Sequence, residues 1–283
     1  MTIRPAWGWS LGMAALLLVP GCGARRERAL TVKGSDTMVI LGQRWAERYM
    51  AKNPAAVIQV TGGGSGTGIS ALINGTTDIC NASRPLKESE RQKLQEKYGS
   101  RGIEIKCAID GLAVYLHTGN PVKDLSLAQL KDIYTGKVTS WKQVGGPDRK
   151  ITLYSRENNS GTYVYFKDEV LMGEDFVASA QHLPGTAAVV NAVSKDPWAI
   201  GYGGSAYGKG IREISIRKDA SSPAYPPTKE NIVTGQYPIS RYLFMYTRTR
   251  PDGELKKYID WILGDEGQKI VKEVGYFPIR EIK

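Results

Sequence analysis

From residue 29 onward, short β-like runs alternate with stretches in which apolar residues recur at helical spacing. Ala29-Leu30-Thr31-Val32-Lys33 predicts a strand, and Leu41, Trp45 and Tyr49 predict one buried face of a helix over 40–50. Residues 55–61 repeat the strand, Ile69-Ser70-Ala71-Leu72-Ile73 a short helix stopped by Asn74-Gly75, and 76–82 a third strand before a charged helix over 87–98. A β-rich stretch over 103–116 is interrupted at Asp110-Gly111, and Leu127, Leu130 and Ile133 mark a helix over 125–134 with its cap near Ser126. Strands follow at 151–154, 198–204, 211–216 and 242–247, with helices over 186–193, 254–263 and 266–274. Such alternation predicts an α/β fold with parallel or mixed sheets.

Three of the joints are of one chemical kind: a β run ends in a Gly/Ser/Thr turn and a helical pattern begins. They are Lys33-Gly34-Ser35-Asp36-Thr37-Met38, the glycine turn Gly62-Gly63-Gly64-Ser65-Gly66-Thr67-Gly68, and Arg156-Glu157-Asn158-Asn159-Ser160-Gly161-Thr162. A helix N-terminus carries unpaired N–H groups and partial positive charge, so hydroxyls, a close-approach glycine and a guanidinium there make an oxyanion site. Three turns converging on one point would surround a tetrahedral anion. Taken singly, each is ambiguous: Ser35 and Thr37 also suit a helix cap, and a glycine cluster also suits a tight turn.

Composition and charge narrow the partner. The chain has 283 residues and a net charge of +10, which favours an anionic partner of some kind. Its basic residues are dispersed and form no DNA- or RNA-recognition motif, so nucleic acid is set aside. His117 and His182 have no ligand spacing with each other or with the cysteines, which argues against a metal or other cofactor. The glycine turn lacks the Gly-Lys-Ser/Thr ending of a nucleotide loop, and neither Ser65 nor Ser160 sits in a nucleophile elbow with partners, which disfavours a hydrolase.

Residues 1–21, with Arg4 ahead of an apolar run over 6–19, read as a secretory signal; the run is shorter than the roughly 20 residues of a membrane span. Pro20-Gly21-Cys22 resembles a bacterial lipobox, which would lipidate Cys22 and leave residues 22–28 as an anchored tether, periplasmic or at the cell surface. In an exported chain, Cys80 and Cys107, each in a β-like run, are candidates for one disulfide.

Taken together, these segments resemble the phosphate-binding proteins of bacterial phosphate ABC transporters. In the first half the resemblance rests on Gly34-Ser35-Asp36-Thr37, residues 62–68, Asp78-Ile79-Cys80-Asn81-Ala82-Ser83-Arg84-Pro85-Leu86 and Asp110-Gly111-Leu112-Ala113-Val114. Further along it rests on Ile133-Tyr134-Thr135-Gly136-Lys137-Val138-Thr139-Ser140-Trp141, residues 156–162, 199–203 and 266–271, in the family's order. The resemblance implies a two-lobed, periplasmic-binding-protein-like (type II) fold with a hinged cleft that encloses inorganic phosphate for a membrane permease. One lobe would comprise 29–110 and 240–283, the other 111–239.

Carried over, the implied phosphate contacts are Ser35, Asp36 and Thr37, Ser65, and Arg156, Ser160, Gly161 and Thr162. Ser83 and Arg84 are further candidate phosphate contacts: they stand where some relatives place an aspartate that accepts the proton of hydrogen phosphate, and Asp36 is the candidate replacement acceptor. Arg84 fits a cleft residue or an ion pair equally, and Glu157 is a candidate to hold the Arg156 guanidinium. Rival readings within the same fold are a receptor for another oxyanion and a surface sensor or adhesion protein.

Overall fold

The computed structural model describes residues 1–2 and 29–282. The expected signal segment from residue 3 onward, Cys22 and the expected tether therefore lie outside the described residues. Three parallel strands begin the sheet: β1 (Leu30–Gly34) lies between β2 (Ile58–Thr61) and β3 (Ile79–Ala82). The order then continues through β11 (Ser240–Thr247), β4 (Ile103–Leu116), β8 (Ala199–Gly204), β6 (Thr152–Arg156) and β7 (Gln181–Leu183), while β5 (Asp124–Ser126) and β10 (Ser215–Arg217) pair separately.

Strand β4 is the spine. Its first part pairs antiparallel with β11 and its second, Leu112 to Leu116, with β8. The interruption predicted at Asp110-Gly111 does not occur: β4 is one continuous strand, and there the chain passes from one apolar core to the other. One core joins Val32, Leu41, Trp45, Cys107, Leu243 and Tyr276, while the other joins Leu112, Tyr134, Trp141, Phe166, Tyr202 and Ile239.

The helices follow the predicted spacing where it was regular. Helix α1 (Val39–Lys52) buries Leu41, Trp45 and Tyr49, and the Trp45 indole donates to the Gly267 carbonyl at 2.8 Å. Helix α4 (Leu127–Tyr134) starts at Ser126, whose hydroxyl accepts from Gln129 N while the Gln129 side chain accepts from Ser126 N. Helix α2 (Ser65–Asn74) begins four residues earlier than its apolar run, because its glycines serve packing: a Cβ at Gly68 would lie 2.5 Å from both Gly34 Cα and Lys33 O. Trp141 opens a 3-10 turn and is buried, its indole donating to Trp198 O.

The disulfide expected between Cys80 and Cys107 is absent, and both are free, buried thiols. Cys80 lies on β3 and Cys107 on β4, with β11 between, a separation of roughly 9–10 Å against the ~7 Å limit for bridging. They also face opposite sides of the sheet. Cys80 packs with Phe244 and Tyr246 of β11, Cys107 with Leu243 and Met245.

Candidate anion-binding site

The three hydroxyl-rich turns meet. The first forms a 3-10 turn over Asp36–Met38 directly after β1, the second opens α2 after β2, and the third links β6 to α5 (Gly161–Glu169). Helix starts are thus aimed at one place, each at the C-terminal end of a strand, where first-turn amides lack intrahelical partners. Ser160 caps α5, its hydroxyl oxygen accepting from Thr162 N and Tyr163 N, which leaves the hydroxyl proton able to donate elsewhere.

Ser35, Thr37, Ser65, Ser83, Ser160 and Thr162 are all buried, and most are hydrogen-bonded among themselves. Ser35 Oγ donates to Ser83 Oγ at 2.9 Å, Ser65 Oγ lies 3.3 Å from Ser83 Oγ, and Thr37 Oγ1 lies 2.9 Å from Thr162 Oγ1. Hydroxyls rotate, so a cluster that satisfies itself can turn its protons onto an anion. Glycine at 161 allows the close approach at this junction: a Cβ there would press on Ser65 Oγ and lie 2.7 Å from Ser83 Oγ. The neighbouring contact is backbone to backbone, Gly66 N donating to Asn159 O at 2.8 Å.

Arg156 supplies buried positive charge. It is 1 % exposed, donates through Nη2 to Asp36 Oδ2 at 2.7 Å and through Nη1 to Thr186 Oγ1 at 2.9 Å, and its Nε–H has no partner. Burial pulls the guanidinium pKa below the ordinary arginine value, and the Asp36 carboxylate works against that pull. The other Asp36 oxygen accepts from Gly63 N at 2.7 Å, and Tyr207 OH donates to Asp36 O. The residue that holds Arg156 is therefore Asp36, whereas Glu157 points outward as an exposed side chain. Each Asp36 oxygen retains a lone pair.

Arg84 does not join the cluster. Its terminal nitrogens make a paired contact with Glu90 at 2.8 and 2.7 Å, and Nη1 also reaches Pro85 O, so the ion-pair alternative describes it. Glu90 sits at the third position of α3 (Glu88–Tyr98) and also accepts from Lys87 N, which fixes the carboxylate for Arg84. Asp78 is structural, accepting from both the N–H and the hydroxyl of Thr31.

Sequence reasoning missed Arg241, Asp110, Thr186 and Tyr207. Arg241, on β11, donates to Asp110, to Ser83 O and to Thr162 Oγ1, all within 3.0 Å. An arginine immediately ahead of the apolar run expected as a strand at 242–247 was the available signal. Among the described residues, no group of three or more metal-ligating side chains occurs and no helix is long and apolar enough to cross a membrane.

Residues 23–266 match the family described as the PBP superfamily domain. The chain is 32% identical over 267 residues to the phosphate-binding protein PstS of Pseudomonas aeruginosa, covering 88% of this chain and 83% of that protein. It is 34% identical over 262 residues to PstS of Bacillus subtilis, covering 90% and 82%.

This chain belongs to the PstS family of phosphate-binding proteins, within the PBP superfamily. Among solved structures it resembles a phosphate-bound putative phosphate ABC transporter substrate-binding protein from Clostridium perfringens, with a TM-score of 0.81, 32% identity and coverage of 89% and 100%. An ABC-type phosphate transport receptor from Vibrio cholerae aligns with a TM-score of 0.71, 31% identity and coverage of 88% and 99%. The fold is the two-lobed periplasmic-binding-protein fold, and the relatives are binding proteins of transporters.

Proposed function

We propose that this chain binds inorganic phosphate between its lobes and delivers it to the membrane permease of an ABC importer, without catalysis. The observation that carries the reading is Arg156: a fully buried guanidinium, steadied by one carboxylate, among the starts of two helices and a 3-10 turn. The contact set is Ser35, Asp36 and Thr37, Ser65 and Ser83, and Arg156, Ser160, Gly161 and Thr162.

The lobes are residues 29–110 with 240–283, and 111–239, joined through β4 and β11. Support comes from the two apolar cores, whose members change over near Asp110 and Ser240. Because Gly161 rests against Ser65 and Ser83, an anion reaches the hydroxyls only when the α5 side draws back, and binding then favours the closed arrangement. Asp36 is the acceptor for the proton of hydrogen phosphate through a remaining lone pair. Sulfate, which lacks that proton, would set lone pair against lone pair there.

Outside the cleft, cleavage after residue 21 and lipidation of Cys22 would tether the receptor to a membrane surface by 22–28. The reading is tested with radiolabelled phosphate. The wild-type chain should retain it in a saturable, one-to-one manner, and Arg156→Ala should release it; equal retention by both removes this site from the function.

A further inference from the structure

Arg241 and Asp110 stand directly opposite each other in the β11–β4 register, at the point where β4 leaves one core for the other. Arg241 Nε and Nη2 both donate to Asp110 Oδ2, at 3.0 and 2.9 Å, and the other Asp110 oxygen accepts from Ser205 N at 3.2 Å. The guanidinium, 5.2 Å from the Tyr165 ring centre, has no freedom to turn. Burial raises the Asp110 pKa and Arg241 opposes that rise, as in a paired interior carboxylate. Two further donors of Arg241, one on Nη1 and one on Nη2, go to Ser83 O and to Thr162 Oγ1, each at 3.0 Å. Both of those residues belong to the hydroxyl cluster.

The donor count at Thr162 gives this contact its consequence. Thr162 Oγ1 and Thr37 Oγ1 are 2.9 Å apart and share one hydrogen bond, which uses one of their two hydroxyl protons. If Thr162 donates to Thr37, the Thr37 proton is left over. If Thr37 donates to Thr162, then Thr162 has accepted twice, from Thr37 and from Arg241, and its own proton is left over. Arg241 can only donate, so it denies Thr162 any acceptor on that side. In either arrangement one hydroxyl proton is left over for an acceptor outside the pair.

We propose that Arg241, locked by Asp110, is a positioning residue that keeps the Thr37–Thr162 pair a net hydrogen-bond donor to the bound anion. It acts through Thr162 and does not itself touch the ligand. The pair joins Thr37, beside β1, to Thr162, in α5, so the same contact ties the two sides of the cleft together once closed. This rests on the phosphate-binding reading and adds to it a second guanidinium whose charge reaches the anion through a hydroxyl relay.

The test is a cycle of phosphate affinities measured by calorimetry on the whole mature chain. Arg241→Gln alone strands a buried carboxylate, so the working variant is the neutral pair Asp110→Asn with Arg241→Gln, with Arg241→Lys beside it. On the wild-type background the neutral pair should weaken phosphate binding at least about tenfold, and on a Thr162→Val background no more than about threefold. Thr162→Ser, which keeps the hydroxyl, should stay within about threefold of wild type, while Thr162→Val should fall at least about tenfold.

Equal losses from the neutral pair on both backgrounds would make Arg241 a purely structural residue and overturn the proposal, as would a Thr162→Val chain that binds like wild type. If the neutral pair does not fold, Arg241→Lys decides: it keeps the charge beside Asp110 but cannot serve Asp110, Ser83 O and Thr162 Oγ1 together, so phosphate affinity should fall at least about threefold, and affinity equal to wild type overturns the proposal. A wild-type chain that takes no phosphate overturns the phosphate reading together with this one, whereas a binding wild type with an indifferent neutral pair overturns this one alone.

Discussion

Arg156 Nη2 donates to Asp36 Oδ2 at 2.7 Å, across 120 positions of chain. The guanidinium arrives with the α5 turn and the carboxylate with the turn after β1, so the ion pair exists only when those two turns are together. It places positive charge and an unused acceptor side by side where an anion would sit.

Arg156→Ala should weaken phosphate binding by at least about tenfold, since a charge-assisted hydrogen bond contributes roughly 1.5 to 3 kcal/mol and the substitution also leaves Asp36 without its partner. Calorimetry on the folded variant checks this. Arg156→Lys should recover only part of the loss, because an ammonium cannot serve Asp36, Thr186 and an anion in the same planar geometry.

Asp36→Asn separates two roles. If the carboxylate is the acceptor for the ligand's proton, the ratio of phosphate to sulfate affinity should shrink by at least about tenfold. An unaltered ratio with a general loss of affinity would leave Asp36 as the support of Arg156 only. Competition titrations with both anions at neutral pH read out the difference.

Gly161→Ala should abolish tight binding while leaving the unliganded fold intact. The atoms nearest its Cβ belong to Ser65 and Ser83, which sit across the cleft, and alanine suits the first turn of α5. The thermal midpoint without ligand should stay within about 4 °C of wild type, whereas the phosphate-dependent rise in that midpoint should vanish.

Glu213 gives a pH prediction. It lies on β9 (Arg212–Glu213), which pairs with the end of β4, and its Oε1 is buried without a partner. Burial first, and then the Asp110 charge, push its pKa up to about 7. A carboxyl whose folded pKa is raised favours the fold while protonated, so stability should fall as pH climbs from its ordinary value near 4.5 to about 7. Glu213→Gln should therefore raise the thermal midpoint at pH 8 relative to wild type, with the advantage gone by pH 4.

The free thiols are equally open to measurement. Burial pushes both Cys80 and Cys107 well above the ordinary thiol range, so neither should react with a thiol reagent in the native chain beginning at residue 29. Both should react after denaturation without reductant; a chain that yields no thiols would restore the disulfide.

What the sequence made legible was local. Ser35, Ser65 and Ser160 sit in turns whose glycines and hydroxyls announce a helix start, and Leu41, Trp45 and Tyr49 announce a buried face. What escaped depends on strand register. Arg241 and Asp110 face each other only because β11 pairs with β4 at that register, and Cys80 and Cys107 are kept apart because β11 lies between their strands. Arg84 and Arg156 both stand next to hydroxyl turns in the sequence. Glu90 captures the first, and Asp36, brought in from the first turn, captures the second. The partner across the cleft is a tertiary fact, which is why the nearby Glu157 looked like the natural holder of Arg156.

The central claim is that these turns enclose phosphate and reject sulfate. Calorimetric titration of the chain beginning at residue 29, stripped of bound anion, with phosphate and then sulfate at neutral pH tests it most directly. The account predicts tight one-to-one phosphate binding with sulfate silent. Equal binding of both anions, or silence for both, would contradict it and turn attention to a receptor for another oxyanion or to a sensing or adhesion role.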